Sequence, residues 1–271
     1  MNASIKHGIP EGQYYGDKTR WSATLLKSAA YGGLGAAKKI LEGVDIDSKA
    51  MREGRLAHLA VCCPKEWDEL VVYPPEDLKE GVLDSRGNVP AIPERTKQYS
   101  ERVEKWKKAC PDKMHVTKRE HDNALKYHAA LVNSPCWSEP TNHEIVAHFE
   151  FEGRPYKARI DAERNNGDGS YTLYDWKFIG GRTGTEDFAD KVELYNYYMQ
   201  ASLYRYAYQQ AGRVVSDFIL VGVDKRTCDP AHTVCLAVSD QKFEEGINDC
   251  RLWHHRIEAA QAFDYWENPE E

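Results

Sequence analysis

The chain has 271 residues, 41% of them hydrophobic and 29% charged, and a formal net charge of −7. That balance excludes a generally polycationic binder, and the aromatic content excludes a disordered chain. The length suits one large domain or one domain with a helical appendage; no run approaches the roughly 20 apolar residues of a membrane span.

The opening MNASIKHGIPEGQYYG lacks the apolar core of a secretory signal, so a cytoplasmic location is expected, without a membrane partner. The first twenty residues read as irregular. A helix is predicted from Ser22 through TLLKSA, interrupted at Gly32 and Gly33 and resumed over LGAAKKILEG. Residues 47–62 read as another helix, with Met51, Leu56, Leu59 and Ala60 as its apolar stripe. The Pro-rich stretch from Tyr73 to Pro93 predicts a long loop. Helices are expected over 94–109 and 117–132, the second opening on a Thr117-Lys-Arg-Glu120 capping box.

From residue 143 the texture changes. HEIVAHFEF, RPYKARIDAE and SYTLYDWKFI, separated by Glu152-Gly153 and by Asn165 to Gly169, predict a three-stranded antiparallel meander. A long helix is expected from Glu186 to Gln210, stopped by Gly212, then strands VVSDFILVGVD and HTVCLAVS, then a helix over 240–263. The expected fold class is α/β, with a mixed sheet of α+β type. An N-terminal helical region (1–135) would precede the core (136–271), the two together forming one compact domain. The seven cysteines contain no C-x-x-C pair, which predicts reduced, mostly buried thiols.

The chemistry concentrates in Arg159-Ile160-Asp161 and Tyr174-Asp175-Trp176-Lys177. Residues i and i+2 of a strand share a face, so Asp175 and Lys177 project together while Trp176 packs opposite. A short turn can set Asp161 beside Asp175. Two adjacent carboxylates repel, and a hard divalent cation such as Mg²⁺ relieves that repulsion. A neighbouring lysine can orient or deprotonate a metal-bound water and neutralise charge in a phosphoryl transfer. Charges in the apolar strand LYDWKFI are otherwise costly. On the following helix, Tyr197, Gln200 and Tyr204 share a stripe, where Gln200 interrupts an aromatic face. Arg55 and His58, three apart, share a face of the 47–62 helix; a lone histidine is more often surface or satisfied core.

These residues resemble the PD-(D/E)xK nuclease superfamily: Asp161 ending one strand, then Asp175-x-Lys177 on the next. GRPYKARID (153–161), Gln200-x-x-x-Tyr204 and Gly54-x-x-x-His58 are similar to motifs of its RecB-like branch, and SATLLKS (22–28) more loosely to RecE-type phage recombination exonucleases. The resemblance implies a restriction-endonuclease-like core and an exodeoxyribonuclease that degrades double-stranded DNA from its ends with Mg²⁺, Mn²⁺ substituting. It implies that Asp161 and Asp175 hold the metal, with His58 as an additional ligand and the carbonyl of Trp176 or Phe178 as a further one, and that Lys177 positions the attacking water. Gln200 and Tyr204 would steady Lys177 or contact phosphate, and Glu144 matches the glutamate that opens the first core strand. A homo-oligomeric ring and a single-strand annealing recombinase as partner are further implications. The iron–sulfur-bearing relatives carry clustered C-terminal cysteines; Cys228, Cys235 and Cys250 lack that spacing, so no cluster is expected. A structure-specific or nicking endonuclease and a non-catalytic DNA-binding module are the competing readings.

The charge is unevenly spread. Residues 239–271 hold nine acids and three bases, a net of −6, whereas 91–128 hold ten bases and six acids, a net of +4. Lys105, Lys107 and Lys108 of that basic segment, with Arg55 and Tyr197, are the expected DNA contacts, their affinity salt-sensitive.

Overall fold

The computed structural model describes residues 3–44, 49–181 and 184–267. The chain divides into two units, residues 1–49 with 129–271 and residues 50–128. In chain order the strands and α-helices are β1 (Ser4–Lys6), α1 (Glu11–Gly16), α2 (Ala23–Leu41), α3 (Lys49–Cys62), α4 (Pro64–Leu70), β2 (Val71–Val72), α5 (Lys97–Ala109), β3 (Met114–His115) and α6 (Lys118–Val132). They continue with β4 (Asn142–Phe151), β5 (Arg154–Asn165), β6 (Ser170–Ile179), α7 (Thr185–Leu194), α8 (Tyr197–Gln210), β7 (Val214–Asp224), β8 (Val234–Ala237) and α9 (Asp240–Phe263).

The first unit is a mixed α/β structure. Its six-stranded sheet runs β1-β4-β5-β6-β7-β8. Neighbours are antiparallel except β6 and β7, which run parallel. A parallel pair needs a long crossover, and α7 with α8 supplies it. The meander is as the sequence predicts, and the chain turns tightly after β4 because Glu152 (φ 49°) and Gly153 (φ 75°) both take left-handed conformations. One face of the sheet carries the main core. Ile145, Ala147, Phe149, Tyr156, Ile160, Leu173, Phe218 and Leu220 from the strands pack with Leu26 and Ala29 of α2, Leu203 and Ala207 of α8 and Ile257 of α9. Gly246 lets α9 approach α8: a Cβ there would lie 2.8 Å from the carbonyl oxygen of Tyr198. Burying Leu, Ile or Phe side chains in this way stabilises by roughly 1.5–3 kcal/mol each.

A buried carboxylate ties α8 to the strands. Glu163 is 1% exposed. It accepts hydrogen bonds from Tyr208 Oη (2.5 Å) and Asn142 Nδ2 (2.8 Å), with Arg213 3.4 Å away.

The second unit is small and mostly helical. Leu56, Ala60, Trp67, Val71, Val116 and Ala124 form its core. β2 and β3 pair in parallel. The capping box is present: Thr117 Oγ1 accepts from the Glu120 amide at 3.1 Å, and Glu120 Oε2 accepts from the Thr117 amide at 2.7 Å. Arg52 of α3 reaches the other Glu120 oxygen at 2.8 Å. The predicted loop after Tyr73 is tied down by α5, whose Arg102 donates to the carbonyls of Leu78 and Glu80.

Three sequence expectations need correction or limits. The first twenty residues are not irregular throughout: β1 joins the sheet edge against β4, and α1 buries Tyr14. The helix expected from Glu186 to Gln210 is two helices, because Asn196 takes a left-handed conformation (φ 52°) between α7 and α8; asparagine tolerates that geometry, and periodicity does not register a one-residue break. The expected start of the 47–62 helix, Asp47 and Ser48, lies outside the described residues. The interruption of α2 is where the glycines predict it, at Gly33 (φ 76°). Among the described residues, no helix is long and apolar enough to cross a membrane; all seven cysteines are free thiols, but against expectation only Cys62 and Cys250 are buried.

Candidate active site

The candidate site begins at a break in the sheet. β4 pairs with β5 through Ile145↔Ile160 and through His143↔Ala162, skipping Glu144 and Asp161. On the other side, β5–β6 pairing ends at Ala162↔Tyr174, so Asp161 and Asp175 are the next positions along the two strands. The side-chain alternation of β5 inverts here. Ile160 belongs to the core beneath α8, and Glu163, three residues on, also reaches α8 through Tyr208. A regular strand would put these two residues on opposite faces. Glu144, opposite Asp161, absorbs the irregularity with φ 51° and is ion-paired to Arg159. A left-handed non-glycine residue costs of order 1 kcal/mol or more, and such strain tends to gather at functional positions.

At the break, Asp161 Oδ2 accepts a hydrogen bond from the Trp176 amide at 2.7 Å. Asp175, 1% exposed, points toward α8. Its Oδ1 accepts from Gln200 Nε2 at 2.7 Å, and its Oδ2 lies 2.5 Å from the Lys177 ammonium. Trp176 points the other way, with Trp137 and His143 as ring neighbours at 5.6 and 5.7 Å. The i, i+2 expectation for Asp175 and Lys177 is therefore met. Gln200 is a hub: it also donates to Tyr204 Oη at 3.0 Å, and its Oε1 lies 3.5 Å from Lys177 Nζ. The four-residue spacing of Gln200 and Tyr204 puts them one helical turn apart. Tyr197, at the first turn of α8, presents its ring to Lys177, 4.7 Å from the ammonium.

One residue of this cluster carries no obvious mark in the sequence. Lys27 of α2 donates to Gln200 Oε1 and its ammonium stands 5.2 Å from the centre of the Tyr197 ring. The available signal is its place in an otherwise apolar stripe with Ala23, Ala30 and Leu34, where a charge is costly without a partner. Two ammonium groups thus converge on one amide oxygen and one ring. Their electrostatics differ. Burial and the nearby Lys177 push Lys27 down to about 7, against the pull of Asp175 and Asp161. Burial also works against the Lys177 charge, but Asp175 and Asp161 outweigh it and hold that pKa above the ordinary lysine value. Burial raises the Tyr204 and Tyr197 phenols, so both stay neutral hydrogen-bonding groups.

The donor set suits a hard cation. Two carboxylates face each other from adjacent strands, and the buried Asp175 Oδ2 is met by the ammonium of Lys177 at 2.5 Å. Oxygen donors of this kind match Mg²⁺ and Mn²⁺. The structure thus brings together Asp161, Asp175, Trp176, Lys177, Tyr197, Gln200 and Tyr204.

The remaining expected residues belong to the second unit. His58 is half-buried on α3, and Arg55 on the same helix is exposed. On α5, Lys105 and Lys108 are exposed, whereas Lys107 is ion-paired with Glu104 at 2.7 Å. The basic stripe of α5 is also interleaved with Glu101, which pairs with Lys97 at 3.6 Å.

The fold has a solved counterpart. The chain is similar to the crystal structure of a protein from Eubacterium rectale provisionally named an exonuclease, with a TM-score of 0.59 and 16% identity. The match covers 93% of this chain and 86% of that one, so the two share an architecture nearly end to end. No protein-family model and no curated protein matches the chain.

Proposed function

We propose that the chain is a divalent-metal-dependent nuclease of the PD-(D/E)xK type, acting as an exonuclease on double-stranded DNA ends. The observation that carries this reading is the Asp175 carboxylate, buried and shared between Lys177 and Gln200, on the strand next to Asp161's and, like it, one position past the last β5–β6 pair. A purely structural ion pair needs neither a second carboxylate nor a second lysine beside it. The name of the Eubacterium rectale protein is consistent with this reading.

Asp161 and Asp175, with the Trp176 carbonyl, are the groups that would hold the metal. A bound Mg²⁺ supplies an acidified water and charge neutralisation on the phosphate. The protein's own contribution is placement. Gln200 fixes one oxygen of Asp175 and leaves the other to face Lys177. Lys177, held over Tyr197, is a fixed cation that can orient a water or meet charge building on a phosphoryl oxygen. Tyr204 holds Gln200 in register. The likeness to RecE-type enzymes extends the proposal to end resection in phage-type recombination, with a homo-oligomeric ring and a single-strand annealing protein as partner.

End-labelled linear duplex and covalently closed circular duplex, each incubated with Mg²⁺ and with EDTA, test the proposal. Metal-dependent release of nucleotides from the linear form alone is expected, with Asp175→Asn and Lys177→Met each at least about 1,000-fold slower. Cleavage of the circle would reassign the enzyme as an endonuclease. Absence of metal-dependent hydrolysis of either, or full activity in the two variants, would overturn the reading.

A further inference from the structure

A second cluster of ligand-type side chains lies elsewhere in the first unit. His254, His255 and Glu258 of α9 each offer one donor atom, and these atoms lie within 4.8 Å of one another. His254 Nε2 is 3.1 Å from Glu258 Oε2, and His255 Nδ1 is 3.9 Å from the same oxygen. Ligands about 2.1 Å from a tetrahedral metal stand about 3.4 Å apart, so these spacings bracket the required edge.

The outer groups fit as well. A histidine that binds metal has its other ring nitrogen held by an oxygen, which fixes ring and tautomer. His254 Nδ1 meets this condition, 2.9 Å from Tyr156 Oη; His255 Nε2 faces Glu152 Oε2 at 3.8 Å, beyond hydrogen-bond range. Glu258 is oriented through its other oxygen by Arg154 Nε at 3.2 Å, and Glu152 by Arg251 Nε at 3.0 Å. That leaves Glu258 Oε2 turned toward the two imidazoles. His254 is 0% exposed, yet its Nε2 makes no hydrogen bond among the described residues despite the 3.1 Å approach of Glu258. A buried imidazole nitrogen aimed at a carboxylate without a bond is costly unless something sits between them. His255 is well exposed, so the cluster opens to solvent on one side.

We propose that His254, His255 and Glu258 form a binding site for a borderline divalent metal of the zinc class, with a fourth position open to water. Two imidazoles and one carboxylate select Zn²⁺, Co²⁺ or Ni²⁺ over Mg²⁺. The site is independent of the nuclease reading: Tyr156, which supports His254, lies five residues from Asp161, about 17 Å along β5.

The test is calorimetric titration of Zn²⁺ into the untagged full-length chain carrying Asp175→Asn, with Mg²⁺ in excess, so that the carboxylate pair near Gln200 does not contribute. One-site Zn²⁺ binding is expected, weakened at least about tenfold by His255→Ala and by Glu258→Gln. Co²⁺ should give visible absorption bands that the same substitutions abolish. His255 is a surface residue, so its variant retains the fold, and Zn²⁺ should raise the thermal midpoint of the parent but not of His255→Ala. Absent Zn²⁺ binding, or binding that both substitutions leave unchanged, would overturn the proposal.

Discussion

Replacing Lys27 with methionine should stabilise the protein at mildly acidic pH while impairing its chemistry. Methionine keeps the length of the side chain and removes the ammonium that faces Lys177. Lys27 titrates near 7 in the folded protein against 10.5 for an ordinary lysine. Each unit is worth 1.36 kcal/mol, so keeping the group charged in the fold costs up to about 5 kcal/mol. The unfolded chain binds the extra proton more tightly, so this cost is fully present below pH 7. It shrinks as pH rises between about 7 and 10.5, and vanishes above. The lost hydrogen bond to Gln200 takes back about 1 kcal/mol. Urea unfolding in EDTA should therefore show Lys27→Met more stable than the parent by a few kcal/mol at pH 6, with the gap closing by pH 10.5. A variant less stable at pH 6, or a gap indifferent to pH, would mean that Lys27 is not held as a destabilised cation. The same variant should lose activity in Mg²⁺, because Gln200 loses one of its anchors.

Gln200→Leu removes the donor to Asp175 and should lower kcat/KM about 10- to 100-fold, from a charge-assisted bond worth roughly 1.5–3 kcal/mol; steady-state kinetics on linear duplex reads it. Tyr208→Phe deprives the buried Glu163 of its shortest hydrogen bond. It should cost a similar energy and lower Tm by roughly 3–12 °C, seen by thermal melting, with nuclease activity largely kept. Joint reversal of Lys105 and Lys108 to glutamate should flatten the dependence of log binding constant on log salt by about two units if both meet phosphate. Reversal of Lys107, already paired with Glu104, should change binding less. An unaltered slope in the double variant would remove α5 from the DNA-binding surface.

Much of this was legible in the residues because it rests on short periods. Alternation located β4, β5 and β6, and the i, i+2 rule placed Asp175 with Lys177 and Trp176 behind them. The stripe of Gln200 and Tyr204 needed only helical spacing. What escaped had no local signature. Lys27 joins the cluster from 173 positions away in sequence. The break at Asn196 is one dihedral angle, φ 52°, in a sequence that remains helical on both sides. The short strand β1 pairs with a distant partner, and three residues carry too little pattern to announce it. The inversion at Asp161 depends on Glu144 adopting a positive φ, which glutamate rarely does and which no propensity foretells.

The discontinuity of the first unit also constrains how the chain comes to fold during synthesis. Residues 1–49 leave the ribosome well before the partners they need: Ser4 pairs with His148, and Trp21 bonds with Pro155 and Lys157. At roughly 5–20 residues per second, these early segments wait on the order of ten seconds for their strands to emerge. During that interval residues 50–128, with their own small core, can fold as a local unit. The apolar face of α2, including Leu25, Leu26 and Ala29, stays uncovered until α8 and α9 follow. The polar cluster around Gln200 is therefore completed by a late closure that joins one of the earliest helices to one of the last, and truncation after β6 should leave a chain that exposes that face to chaperones instead of a smaller stable domain.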